Sequence, residues 1–218
     1  MGPVPLLWPT SFFRSGLLVS QSLRNQYLAD PDVQLMLRVA AGDHTAFEDL
    51  VVRYQDRLVG FYFHLFHDRP VAEDMAQETF LRVYRSRERY EPTAKFSTWL
   101  FRIANNLASN QKRGTVRRRE ISLASSSDAH EFHRNETNLA EKSALMPTRQ
   151  LDAMEMRDVV RLAIDELSER QRTAVILHKF EEMSYEEIGE VMGLGVVAVK
   201  SLLSRARVRL KEVLERFV

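Results

Sequence analysis

Three sets of side chains in this sequence have the types and spacing to do chemistry. Near the C-terminus, Lys200, Ser201, Ser204 and Arg205 stand close together, with Arg207 just beyond. Residues three and four apart share one side of a helix. Arg and Lys donate to guanine edges or to phosphate, and Ser reaches either. In the middle of the chain, Phe96, Trp99 and Phe101 neighbour Arg102, Asn105, Asn106, Asn110, Lys112 and Arg113. Aromatics beside bases stack on unpaired nucleotides while the cations hold phosphates, and Asn can hydrogen-bond adenine. Trp99 has apolar Ile103 four residues on, so it is expected to lean into the core. The third set is acidic: Glu73, Asp74, Gln77 and Glu78. Asp74 and Glu78 are four apart and lie on one face. A carboxylate pair suggests acid–base catalysis, but no partner His, glycine-rich phosphate loop or metal-ligand set accompanies it. Contact with a partner protein is the more economical reading. The chain has no cysteine, which excludes disulfides, thiol catalysis and Cys-ligated zinc. His130 and His133 have no matching ligand cluster, so neither metal nor cofactor is expected.

Helices must position all three sets. Glycine is scarce, and after Pro31 only Pro70, Pro92 and Pro147 remain. Such a chain permits long helices, with its few breakers at boundaries. A short helix is expected over about 32–41. Phe47, Leu50, Val51, Tyr54, Leu58, Phe61, Tyr62 and Leu65 then recur at three- and four-residue steps, giving an amphipathic helix. Asp68 and Pro70 mark the next start. That helix is expected to reach about Tyr90, before the break at Glu91-Pro92-Thr93. Ser97 is expected to cap a helix running to about Arg113. Further on, Ser168 with Gln171 and Ser184 with Glu187 have capping-box spacing, predicting helix starts at about 169 and 185. Gly193-Leu194-Gly195 supplies a turn, and a last helix is expected from about Val196 to Phe217. Two short helices, a glycine turn and a basic helix describe a helix-turn-helix, whose final helix enters the major groove. No segment reads as a strand. The fold class is therefore all-α, with two small helical domains at 33–113 and 152–218. An N-terminal extension at 1–32 precedes them and is expected to be weakly ordered, with Pro3, Pro5 and Pro9 crowded at its start. A linker at 114–151 joins them and is expected to be flexible, being too long for a packed loop.

The charge pattern agrees. Over its 218 residues the chain carries 31 Lys+Arg against 30 Asp+Glu, a formal net charge of +1. That average hides a segment, 82–119, with eleven bases and two acids. An acidic segment follows at 120–169, with eleven acids and five bases, and 196–216 holds six bases and two acids. Basic blocks of this kind are the electrostatic footprint of a nucleic-acid surface. No apolar run approaches the roughly 18 residues a membrane span needs, so no membrane insertion is expected.

The ordered series Asp74-Met75-Ala76-Gln77-Glu78-Thr79-Phe80, Phe96-Ser97-Thr98-Trp99-Leu100-Phe101-Arg102-Ile103-Ala104-Asn105-Asn106, Leu167-Ser168-Glu169-Arg170-Gln171-Arg172, Ser184-Tyr185-Glu186-Glu187-Ile188, Val199-Lys200-Ser201 and Ser204-Arg205-Ala206-Arg207 resembles bacterial sigma factors of the extracytoplasmic-function (ECF) group. The resemblance covers about 33–113 and 152–216. It implies a sigma region 2-like domain followed by a sigma region 4-like helix-turn-helix domain. It also implies a non-enzymatic, cytoplasmic initiation factor that binds core RNA polymerase and promoter DNA. Asp74, Gln77, Glu78 and Phe80 match the polymerase-contacting stretch. Lys95, Trp99, Arg102, Asn105, Asn106, Asn110, Lys112 and Arg113 fall where the non-template strand of the −10 element is captured. Lys200, Ser201, Ser204, Arg205 and Arg207 match the positions that contact the −35 element. An anti-sigma factor is a further partner that the resemblance admits. The sequence departs from the common pattern at Val197-Ala198, where Gly-Thr is usual, and at Leu202, where Arg is common. A helix-turn-helix regulator that never joins polymerase is the rival reading. It leaves the Asn-rich helix and the Asp74–Phe80 patch without a role.

Overall fold

The computed structural model describes residues 27–125 and 159–215, and every regular element among them is helical. Helix α1 spans Pro31–Ala40, α2 His44–Phe66, α3 Arg69–Arg85 and α4 Phe96–Ser125. Residues 159–165 are helical and form α5. The second module continues with α6 at Glu169–Lys179, α7 at Tyr185–Met192 and α8 at Val196–Leu214. The N-terminal extension before residue 27 and the segment 126–158, with His130 and His133, lie outside the described residues.

Local sequence explains most of the boundaries. Asp30, Asp43 and Asp68 each sit just before a helix and accept a backbone N–H of its first turn, satisfying donors that have no intrahelical partner. The Asp43 carboxyl also accepts from Thr45 and Arg38, and those bonds hold it far below the usual carboxylate range. Both capping boxes form: Ser168 with Gln171 and Ser184 with Glu187 exchange side-chain and backbone bonds. Helix α3 stops at Arg85, earlier than the pattern to Tyr90 suggests. The Ser86 hydroxyl turns back to donate to the Arg82 carbonyl at 2.7 Å, and a 3₁₀ turn at Arg87–Arg89 follows. Ser97 is not a cap. The Lys95 carbonyl already accepts the Trp99 N–H at 3.2 Å, so Ser97 lies inside the first turn. Helix α4 also runs past Arg113 to Ser125, so the start of the expected linker is helical. Helix α8 ends at Leu214, short of Phe217.

The core of the first module sits where α2, α3 and α4 meet. Tyr62 and Thr79 are fully buried there. Their hydroxyls lie 2.6 Å apart, and the Tyr62 hydroxyl is 3.1 Å from the Ala104 carbonyl of α4. Burial pushes the Tyr62 phenol well above its ordinary range. One hydroxyl thus ties three helices at a point with no water to compensate it. Phe61 packs edge-on against Tyr62 and Phe101, and Phe61, Phe96, Leu100 and Phe101 of the same buried cluster are all at most 1 % exposed. Leu167, Ile176, Ile188 and Val199 of the second module join the same buried cluster. The two modules are therefore packed against each other.

Candidate nucleic-acid and partner interfaces

Helix α3 projects its acidic face outward. Asp74 and Gln77 are exposed and Glu78 is half-buried, with Glu78 accepting from Arg82 at 2.8 Å. Leu81, 49 % exposed, extends the same face by one turn. Phe80 points the other way. It is 8 % exposed and meets Phe47 edge-on with ring centroids 6.3 Å apart. Of the four residues expected to contact polymerase, Phe80 is thus the one whose side chain lies in the core.

The eight residues expected on the strand-capturing face divide into three groups. Arg102, Asn106, Asn110 and Arg113 are exposed and follow one another at spacings of three and four along α4. Arg113 donates to the Asn110 side-chain oxygen at 2.7 Å. Trp99 is half-buried, 4.9 Å from the Tyr90 ring and 5.9 Å from the Phe96 ring between centroids. It is a wall of the core, as its i+4 partner suggests. Lys95, Asn105 and Lys112 make up the third group and turn toward the second module. Lys95 pairs with Glu187 at 2.8 Å, Asn105 donates to the Val191 carbonyl at 3.4 Å, and Lys112 lies 3.6 Å from Glu169. Nearby, the Tyr90 hydroxyl and the Thr98 hydroxyl are buried without a hydrogen-bond partner.

The second module builds a helix-turn-helix around three glycines. Gly193 ends α7 at φ +66°, a left-handed position that glycine takes without strain. Gly195 begins α8 in extended conformation, with no side-chain cap. Gly189 lets the turn fold back closely: a Cβ built there would lie 2.6 Å from the Leu194 carbonyl oxygen. This geometry leaves Lys200, Ser204, Arg205 and Arg207 exposed on α8, with Ser201 half-buried and accepting from Arg205 at 2.8 Å. Val197 at the leading turn is 82 % exposed. Leu202 packs partly against the core. Arg209, further along, is tied back to Glu166 at 2.8 Å and faces away from this set.

Several charged residues between the modules escaped the sequence reading. The Arg57 guanidinium lies 4.7 Å from the Tyr54 ring centroid and 5.7 Å from that of Phe101. It pairs with Glu181 at 2.7 Å. Burial pushes the Glu181 carboxyl up, and Arg57 pulls it back only in part. His67 reaches Asp165 at 2.5 Å. The partners are about a hundred residues apart in sequence, so no local spacing could have announced them. Among the described residues there is no cluster of three or more His, Cys, Asp or Glu side chains able to hold a metal ion. No described helix is long and apolar enough to cross a membrane.

Comparison with known proteins finds matches to both modules. The family description "Sigma-70 region 2" matches residues 36–118, and "Sigma-70, region 4" matches residues 157–210. The RNA polymerase sigma-H factor of Pseudomonas aeruginosa is 37% identical over 186 residues, covering 85% of this chain and 95% of that protein. The ECF RNA polymerase sigma-E factor of Escherichia coli K12 is 35% identical over 176 residues, covering 81% and 90%. Among solved structures, the sigma factor RpoE of Bartonella quintana, bound to the anti-sigma factor NepR, has a TM-score of 0.59 and 25% identity. That match covers 78% of this chain and 96% of RpoE. CnrH, in complex with the cytosolic domain of CnrY, shares the fold with a TM-score of 0.62 at 22% identity, over 86% of this chain and 99% of CnrH. With both diagnostic regions matched in order and relatives similar over nearly their whole length, the chain belongs to the ECF sigma factors, non-enzymatic proteins of promoter-specific transcription initiation.

Proposed function

We propose that this chain joins core RNA polymerase in the cytoplasm, places its region 4 module on the −35 element, and captures the non-template strand of the −10 element on α4. The modules are those at about 33–113 and 152–218. The observation that carries the reading is the pairing of two different nucleic-acid faces in one chain. Helix α8 offers Lys200, Ser204, Arg205 and Arg207 exposed on the last helix of a helix-turn-helix, the element that reads duplex DNA in that motif. Helix α4 offers Arg102, Asn106, Asn110 and Arg113, with the half-buried Trp99 ring just before Arg102, a combination of cations, amides and an aromatic that suits unpaired bases. Opening a duplex costs stacking energy at each step. Captured bases and neutralised phosphates offset it. The acidic face of α3, with Asp74 and Gln77 exposed, supplies a separate contact for polymerase. An anti-sigma factor belongs among its partners, as solved relatives carry one.

Run-off transcription with core polymerase on a promoter-fragment library tests the whole reading. New, specific transcripts that depend on the protein are expected. DNA binding without polymerase association would turn the reading to a helix-turn-helix regulator.

Two substitutions test the faces singly. Arg205→Ala is expected to weaken initiation at promoters with an intact −35 element by about 1–3 kcal/mol if Arg205 reads a base. An equal loss on promoters with a scrambled −35 element would make it a phosphate contact only. Asp74→Ala is expected to reduce co-purification with core polymerase and leave duplex binding by the second module unchanged. Undiminished co-purification would remove Asp74 from the contact.

A further inference from the structure

Helix α8 turns Val199, Leu203, Ala206 and Val213 into the core. The helical period then puts Val197, Ser201, Ser204 and Val208, at steps of four, three and four, along the middle of its outer face. Lys200 and Arg207 border that stripe on one side and Arg205 borders it on the other, all exposed. A helix in the major groove brings the middle of its outer face nearest the bases and its edges nearest the two phosphate walls. Cations along the edges and none in the middle match that placement.

The early residues of such a helix meet base edges, and those of α8 are all apolar. Val196-Val197-Ala198-Val199 has no side chain able to make a hydrogen bond, and Gly195 before it supplies no side-chain cap. Ser201, the first polar group of the central stripe, already accepts from Arg205 at 2.8 Å. Val197 is 82 % exposed, more than any other large hydrophobic side chain among the described residues. Neither packing nor propensity accounts for it there: it buries little, and a β-branched residue is a poorer helix former than alanine. Branching does restrict its χ1, so its two methyl groups point one way before any contact is made. Exposed Ala198 beside it has no bulk to keep that isopropyl group from a base. The major groove offers one apolar feature to such a group, the C5-methyl of thymine.

We propose that Val197 is a specificity-determining residue of the −35 contact: its isopropyl group selects thymine, through the C5-methyl, at the base pair facing the first turn of α8. The proposal deepens the reading of α8 as the −35 reader and rests on it. Discrimination at this base pair comes from shape and desolvation, with no hydrogen bond to the base.

Thymine and uracil differ only in that methyl group, so uracil substitution isolates the contact. The full-length chain, assembled with core polymerase and kept limiting, transcribes the strongest promoter recovered from the run-off library. Each thymine of its −35 element is replaced singly by uracil. The unaltered chain is compared with Val197→Ala and with a control, Val52→Ala, which removes the same atoms from a position on α2 that is 70 % exposed. Alanine preserves both helices. The expected result is a loss of about fourfold at one uracil position with the unaltered and control chains, the scale for one buried methyl group. Val197→Ala should start at about that lower level on the thymine promoter and change little at the same uracil position. Undiminished initiation at every uracil position, an equal loss in Val197→Ala, or a −35 element with no thymine on either strand would overturn the proposal. Indifference of the unaltered chain to a scrambled −35 element would instead remove the duplex reading of α8 on which it stands.

Discussion

Phe101→Ala is expected to cost the first module about 3–5 kcal/mol of stability, the range for removing a fully buried aromatic ring. Phe101 is fully buried on α4, with the Phe61 ring edge-on at 5.4 Å. Its neighbours belong to helices already tied together by the Tyr62 hydroxyl, so the site has little freedom to collapse around the void. The ring also flanks the Arg57 guanidinium, 5.7 Å from the centroid. Its loss therefore unseats the residue that holds Glu181. Two consequences separate on measurement. Denaturant unfolding should show a lower midpoint for the first module, and dyes on a pair of cysteines introduced one per module into this cysteine-free chain should report modules that part more readily at denaturant concentrations below that transition. Phe101→Leu, which refills most of the volume, should recover much of the stability. A loss under about 1 kcal/mol for the alanine variant, within reach of an ordinary surface change, would mean that the ring is not the keystone its burial implies.

The elements that were legible in the sequence are those fixed by short-range chemistry. Ser168 with Gln171 and Ser184 with Glu187 announce helix starts because each pair satisfies two backbone donors reciprocally, and both boxes form. Asp68 before Arg69 and Pro70 reads the same way. The apolar steps from Phe47 to Leu65 mark the inner face of α2. The boundaries that slipped are those where two local signals competed. Ser97 has the composition of a cap, and nothing in the pattern marks Ser86 as a stop. Ser86 instead folds its hydroxyl back on its own helix, and Ser97 is overtaken by a helix already begun at Phe96. Composition also predicted a linker from residue 114, whereas α4 carries its helix through to Ser125.

The candidate faces were legible as residue types and only partly as surfaces. Arg102, Asn106, Asn110 and Arg113 stand open, as the basic and amide spacing suggests. Lys95, Asn105 and Lys112 have the same residue types but opposite environments, because their partners come from the other module. Phe80 sits between half-buried Glu78 and exposed Leu81, and its helical phase, shared with buried Ala76 and Thr79, sends it inward. A linear pattern reports which side of a helix a residue occupies. It does not report what another module lays against that side.

Gly189→Ala is expected to distort the helix-turn-helix and abolish −35-dependent initiation while leaving association with core polymerase intact. Two effects oppose each other at this position. Glycine inside a helix is about 1 kcal/mol less favourable than alanine, so propensity alone predicts a gain. Against it stands the Leu194 carbonyl oxygen, 2.6 Å from where the new Cβ would lie. That oxygen is backbone, not the end of a flexible side chain, and Leu194 is itself held by its N–H donating to the Gly189 carbonyl at 2.8 Å. Overpacking of this kind costs about 1–3 kcal/mol, enough to cancel the propensity gain and exceed it. Relief requires the turn at Gly193 to open, which swings α8 and its Arg205 side chain away from the groove geometry. The first module makes no use of this turn, so polymerase association through α3 should persist. Melting and −35 discrimination are the two readings. A variant that melts higher than the unaltered protein and still discriminates its −35 element would show that propensity wins and that the close approach at Gly189 has room to yield.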